Sequence, residues 1–278
     1  MTDLAPLLLV HALLLAAPAS PGPTLAREDT MHTEVSEVLV SAPRVTLDEI
    51  LDRVARGEAR RDSMMQDQAF TAAVRTFHRA RSSHETQLLE QSLFRVYKKR
   101  PDKLRAVLVR HDRGPALKNE KDDDHDDMEF TPSMSERMVD FAFHADARRE
   151  FRFRIAGRDL IGDHLIYRIA FEPRTSLSTM QPRGLVWIDT NDFVIVREEI
   201  GFDRSPVPLF IKRLDGMVIE RQRVEGYWVL KRMLMNVELT VAIPKLGRYV
   251  EFAIVCDDYL INHGVDDAVF ERPKSGGR

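Results

Sequence analysis

From Asp67 to Ile261 the chain repeats one kind of unit: a run in which apolar and polar side chains alternate, closed by a few turn-forming residues before the next run starts. Alternation with period two gives a strand one apolar and one solvated face. Asp67 to Arg79 and Thr86 to Lys99 read as a hairpin, with Leu104 to Arg110 as a third strand. Phe151, Phe153 and Ile155 alternate with Arg152 and Arg154, and Leu165, Tyr167, Ile169 and Phe171 alternate with Arg168 and Glu172. Gly157 to Gly162 is expected to join those two strands. Leu185 to Ile188 and Phe193 to Ile200 flank Thr190-Asn191-Asp192, residues suited to a tight hairpin turn. Asp215-Gly216 and Glu225-Gly226 predict two more turns. Tyr227 to Ile243 and Arg248 to Ile261 then form long strands around a turn at Pro244 to Gly247, with Val250, Phe252, Ile254 and Cys256 on one face.

Connections this short leave no room for the crossover helices that a parallel sheet requires. The expected fold is therefore mainly β, an antiparallel and largely meandering sheet of about nine to eleven strands. Sheets of that size curl or split, which predicts a curved antiparallel sheet forming an incomplete (half) barrel with one or two helices covering its concave face. Thr46-Leu47-Asp48-Glu49 has the spacing of a capping box, and Leu47, Ile50, Leu51 and Val54 form one apolar stripe, so a helix starts there and is expected to end near Gly57. A second helical stretch is expected around Glu136 to Arg148.

The rest of the chain departs from this pattern. Leu4 to Ala17 is almost continuously apolar, too short to span a bilayer and of the length of a signal-peptide core. Ala17-Pro18-Ala19 predicts a signal segment over 1–19, and Thr24-Leu25-Ala26 a longer one to 26, although Asp3 stands where positive charge is usual. Residues 20–45 read as a flexible lead-in and 46–278 as a single domain. A long acidic loop at about 112–135 interrupts that domain. The expected product is exported and soluble. It is not lipidated after the apolar run, because the lone cysteine is Cys256.

Several chemistries find no footing. A formal net charge of −3 gives no field for nucleic acid. A single cysteine forms neither an internal disulfide nor a multi-cysteine zinc site. Asp122, Asp124 and Asp126 have the first spacings of a calcium loop, but Asp127 stands where glycine is required and Ser133 where glutamate is. Histidines lack the i, i+4 spacing of zinc proteases, and there is no Gly-x-Ser-x-Gly elbow. Asp189 and Glu199 are a carboxylate pair of the kind any β protein carries. The sequence thus predicts no catalytic residue, no metal and no cofactor. Lys98, Lys99, Arg100, Lys103 and Arg105 cluster around Pro101 and suit an acidic partner, a lipid headgroup or a charged turn that discourages edge pairing. Phe153, Tyr167, Ile169, Trp187, Phe193 and Trp228 are candidates both for core and for ligand contact, since the concave face of a half-barrel is both.

Four segments resemble, in order and spacing, the outer-membrane lipoprotein-sorting family, the LolA/LolB-like periplasmic carriers. They are Phe94 to Arg105 with its Arg100-Pro101 turn, Gly162 to Pro173, Gly184 to Asp189, and Tyr259 to Phe270 with its Asp-x-x-Phe tail. The resemblance covers about Leu47 to Phe270. The resemblance implies an unclosed barrel that holds acyl chains of a lipid or lipoprotein in an apolar cavity, a periplasmic location, and envelope membrane proteins as donor or acceptor partners. Met233 and Met235, beside Val237, would add an adaptable lining to such a cavity. An envelope assembly or signalling module that binds a protein partner through the curved sheet is the alternative.

Overall fold

In the computed structural model the alternating segments are ten strands of one sheet. The structure describes residues 45–79, 86–115, 117, 143, 147–161, 164–175, 181–205, 209, 211–243 and 247–271. A helix, α1 (Leu47–Met64), precedes β1 (Asp67–Arg79), β2 (Thr86–Lys99), β3 (Lys103–Arg113), β4 (Phe151–Ile161) and β5 (His164–Pro173). β6 (Pro182–Asp189), β7 (Val194–Phe202), β8 (Ile211–Val224), β9 (Tyr227–Ile243) and β10 (Gly247–Ile261) follow. Their order across the sheet is β3-β2-β1-β10-β9-β8-β7-β6-β5-β4. Every neighbouring pair is antiparallel. The meander from β4 to β10 thus returns to β1, and β3 and β4 are the edges of an open, curved sheet.

The segments expected at 1–19, to 26, and at 20–44 lie outside the described residues. So do the acidic stretch 118–129 and most of Glu136 to Arg148, of which Phe143 is helical and Ala147–Glu150 forms a 3-10 turn. Among the described residues no helix is long and apolar enough to cross a membrane.

Four local expectations are corrected. The helix does not stop at Gly57 but runs seven residues further, to Met64. A Cβ on Gly57 would lie 2.2 Å from the Phe193 carbonyl oxygen, so the glycine serves a close approach of helix to turn and not a helix end. Gly157 lies inside β4 beside a bulge, and β4 continues to Ile161. Asp215 and Gly216 lie inside β8 at another bulge, where the irregular register leaves the strand uninterrupted. Phe193 belongs to the turn before β7, with a left-handed φ of 53°. By contrast Glu225 (φ 51°) and Gly226 (φ 87°) do form the β8–β9 turn, since both take the positive φ that a two-residue hairpin demands.

Register explains the core. One line of cross-strand partners runs over all ten strands: His111, Ser92, Val74, Ile254, Met233, Ile219, Glu198, Val186, Ile169 and Ile155. Its neighbour, one residue along each strand, contains Arg168, Trp187, Arg197, Glu220 and Arg232. The first line faces α1 and the second faces away, as the pleat requires. On the inner side Ile50, Leu51 and Val54 of α1 pack with Phe70, Phe94, Phe151, Ile188 and Met217 in one buried cluster. Each such side chain contributes about 1.5–3 kcal/mol when fully buried. At the other end of α1, Asn262 holds three elements together. Its Oδ1 accepts from Gln66 N at 2.7 Å, and its Nδ2 donates to Met64 O at 2.9 Å.

Candidate functional site

The inner face collects most of the candidates. Ile169, Tyr167 and Met233 are buried on it, and Phe153 packs against it beside Phe143 (ring centroids 5.3 Å apart). Met235 pairs with Met217 and Phe252 in the register, on the same side and half-buried. Phe193 packs on the cluster from the β6–β7 turn, with the Arg53 guanidinium 5.1 Å from its ring centre. Trp228 sits at the β8–β9 end, where Nε1 donates to Asp192 Oδ2 at 2.9 Å. Trp187 is placed differently. Val186 and Ile188 point inward, so Trp187 points outward and is covered by the Arg197 guanidinium at 5.3 Å.

That outer line is an ionic ladder. Arg232 Nε donates to Glu220 Oε2 at 2.5 Å, and Arg197 also pairs with Glu220. The Arg232 hydrogen bond holds the Glu220 carboxyl below its ordinary value against the opposing effect of burial. Between the start of β8 and the later part of β9, Lys212 donates to Glu238 Oε1 at 2.8 Å and lowers that carboxyl too.

Four charged side chains are buried between the helix and the sheet, where the sequence reading placed none. Glu58 Oε1 accepts from Ile195 N at 2.7 Å, and Glu58 Oε2 lies 2.6 Å from Arg61 Nη1. Arg221 Nη1 is 3.5 Å from Glu58 Oε1, and Arg221 Nη2 is 3.2 Å from Glu198 Oε1. Arg221 also donates to Ile195 O. Two cations and two anions therefore balance in a place where a lone charge would be costly. The sequence did carry a signal: Arg221 continues the inward phase of Met217 and Ile219, and Glu198 stands two residues before the inward Ile200.

Beside this cluster opens a cavity of about 420 Å³ between the C-terminal end of α1, the β2–β3 turn and the β8–β9 hairpin. Met65, Leu104, Val229 and Leu230 give it apolar surface, while Lys98, Arg100, Arg61 and Arg221 bring cations to it. The basic cluster read from sequence thus lies at the mouth of the inner face. Part of it is tied to the tail, where Lys99 Nζ and Lys103 Nζ each lie 2.9 Å from Asp267 Oδ1. Those two hydrogen bonds, Lys103 first, lower the Asp267 carboxyl to about 2.

Two polar pairs resemble parts of catalytic sites. His164 Nδ1 and Asp189 Oδ2 are 2.5 Å apart, and Asp189 Oδ1 accepts from Asn191 N at 2.8 Å. Ser92 Oγ and His111 Nδ1 are 2.9 Å apart. The first bridges the ends of β5 and β6, the second joins β2 to edge strand β3, and their residues do not converge on one cleft. Glu199 pairs with Arg197 on the outer face and is remote in role from Asp189. Among the described residues no group of three metal-binding side chains occurs.

No protein-family model and no curated protein matches the chain. Several solved structures do. A DUF1329 family protein from Desulfovibrio piger is 14% identical, with 81% of this chain and 96% of that chain covered and a TM-score of 0.38. A LolA superfamily protein from Nitrosomonas europaea is 15% identical, with 82% and 98% covered and a TM-score of 0.37. A putative outer membrane lipoprotein-sorting protein domain from Vibrio parahaemolyticus is 12% identical, with 79% and 97% covered and a TM-score of 0.34.

Proposed function

We propose that this protein is a periplasmic carrier whose single domain, 46–278, shields an acyl chain of a lipid or lipoprotein on the inner face of its sheet, without covalent chemistry. The supporting observation is the inner face itself: a largely apolar surface across the open sheet, interrupted by the buried Arg221–Glu198 pair and roofed by a helix with only a narrow stripe. In the closed state the face is filled by its own side chains and by α1, so the chain enters as α1 lifts. Leu47, Ile50, Leu51 and Val54 together hold the helix down with roughly 6–12 kcal/mol of burial, an upper bound. An acyl chain of about a dozen methylenes recovers roughly 10 kcal/mol on the same surface. Exchange of helix for ligand is near balance, the condition for a carrier that both loads and releases. Phe153, Tyr167, Ile169, Met233 and Met235 line the face in this reading, with Phe193 and Trp228 at the helix end of it.

Native mass spectrometry of protein purified from its host, followed by organic extraction, is expected to find a bound acyl compound, and the emptied protein is expected to bind fluorescent fatty acids saturably. A second reading, an envelope assembly or signalling module with a protein partner, is favoured by edge strand β3, where Val107, Leu108 and Val109 are exposed, the last by 61%. An unpaired apolar edge invites another strand. Protein that is reproducibly empty and ignores fatty acids would contradict the carrier and favour the partner.

A further inference from the structure

An apolar trough alone does not call for the chemistry of its mouth. The cavity beside α1 has apolar surface from Met65, Leu104, Val229 and Leu230, yet cations reach it from three separate places: Arg61 from α1, Lys98 and Arg100 from the end of β2 and the turn after it, and Arg221 from β8. Asp62, Asp67 and Asp102 also line it, so it is a mixed wall in which cations predominate. Arg61 and Arg221 are each more than nine-tenths buried, and Glu58 and Glu198 fix their directions. We infer that this cavity seats the phosphate-bearing headgroup of an amphiphile whose acyl part lies on the inner face. The inference rests on the carrier reading and adds the class of headgroup to it.

Three observations carry it. First, the rim already holds an oxyanion. Lys99 and Lys103 bring their ammonium groups to 2.9 Å from a single oxygen of the tail carboxylate Asp267. Second, the mouth is continuous with the trough. Lys98 Nζ stands 5.6 Å from the centre of the Phe70 ring, and Phe70 stacks on Tyr259 (4.9 Å) within the buried cluster. A cation directly above the first aromatic of an apolar face is where the head-to-tail junction of an amphiphile would fall. Third, Lys98 and Arg100 approach from β2 and the turn after it, in front of a wall where Arg61 and Arg221 are already balanced by Glu58 and Glu198, and an ammonium beside a guanidinium suits a phosphate with acceptors in several directions. The volume of about 420 Å³ accommodates a phosphate ester rather than only a bare ion.

The test is a displacement titration on the full chain with four probes: phosphatidic acid, oleic acid, neutral diacylglycerol and inorganic phosphate. Phosphatidic acid is expected to bind about tenfold more tightly than diacylglycerol, equivalent to a few exposed charge contacts. The double substitution Lys98→Gln with Arg100→Gln is expected to erase that difference and leave diacylglycerol binding as it was. Asp267→Asn, which removes the competing carboxylate and leaves the inner face untouched, is expected to tighten phosphatidic acid binding about threefold. Equal affinity for the two lipids in the unaltered protein, or equal loss of both in the double variant, would overturn the headgroup site while leaving the carrier standing. Oleic acid gaining as much from its charge as phosphatidic acid would overturn the phosphate assignment. Binding of inorganic phosphate with no acyl probe bound would overturn both the carrier and the amphiphile headgroup and leave a bare anion site.

Discussion

Glu58→Ala is expected to lower the free energy of unfolding by about 3–5 kcal/mol, the cost typical of removing one partner from a buried ionic cluster. The carboxylate performs two tasks. It accepts from the backbone N–H of Ile195 and so ties α1 to the start of β7, and it neutralises Arg61 and Arg221. Alanine leaves the buried Arg221 with Glu198 and Arg61 with the exposed Asp62, and an Ile195 N–H whose acceptor is gone. Glu58→Gln keeps an acceptor for that N–H and removes only the charge, so it should fall between alanine and the natural residue. Urea unfolding followed by circular dichroism measures both. A loss below about 1 kcal/mol for the alanine variant would mean that the cluster is solvated and does not hold the helix.

Gly57→Val is expected to loosen α1 more selectively. A Cβ at this position meets the carbonyl oxygens of Phe193 and Asp192 at 2.2 and 2.7 Å. These are backbone atoms, so the helix must move away. Overpacking commonly costs 1–3 kcal/mol, and a clash with backbone on this scale belongs at or above about 3 kcal/mol. The sheet has its own ladders and should remain. Native-state hydrogen exchange is therefore expected to show loss of protection over Leu47–Met64 with β8, β9 and β10 still protected. If α1 competes with acyl chains for the inner face, the same variant should bind fluorescent fatty acid faster than the natural protein at a temperature where the sheet is intact. Loss of binding together with loss of helix protection would show that α1 builds the site instead of covering it.

Strand placement was legible because alternation survives wherever one face is wet. Asp67–Arg79 and Thr86–Lys99 are read from sequence with the bounds that the structure has. Glycines were harder. Gly57, Gly157 and Asp215-Gly216 each suggested an ending, but one lets two backbones touch and the others sit at bulges within a continuing strand. Local sequence does not distinguish a glycine that ends an element from one that lets another element come close. Leu185-Val186-Trp187-Ile188 has no polar residue to mark its phase, so Trp187 could not be assigned to the outer face until the partners Arg168 and Arg197 fixed it. The buried charges were missed for a different reason. Glu58 lies on a helix among many charged residues, and only the proximity of β7 and β8 shows that it, Arg61, Glu198 and Arg221 belong together. The mouth combines a helix end, a turn and a hairpin far apart in the chain, and sequence identified only the basic turn.

The central claim is that the side of the sheet facing α1 receives hydrocarbon. Palmitic acid carrying a photoactivatable diazirine near its methyl end, irradiated with the protein and followed by peptide mapping, tests it most directly. The predicted result is saturable labelling of Phe153, Tyr167, Ile169, Met233 or Met235, suppressed by unlabelled palmitate. Labelling confined to the outer face, at Trp187 or Val255, or labelling that never saturates, would contradict it.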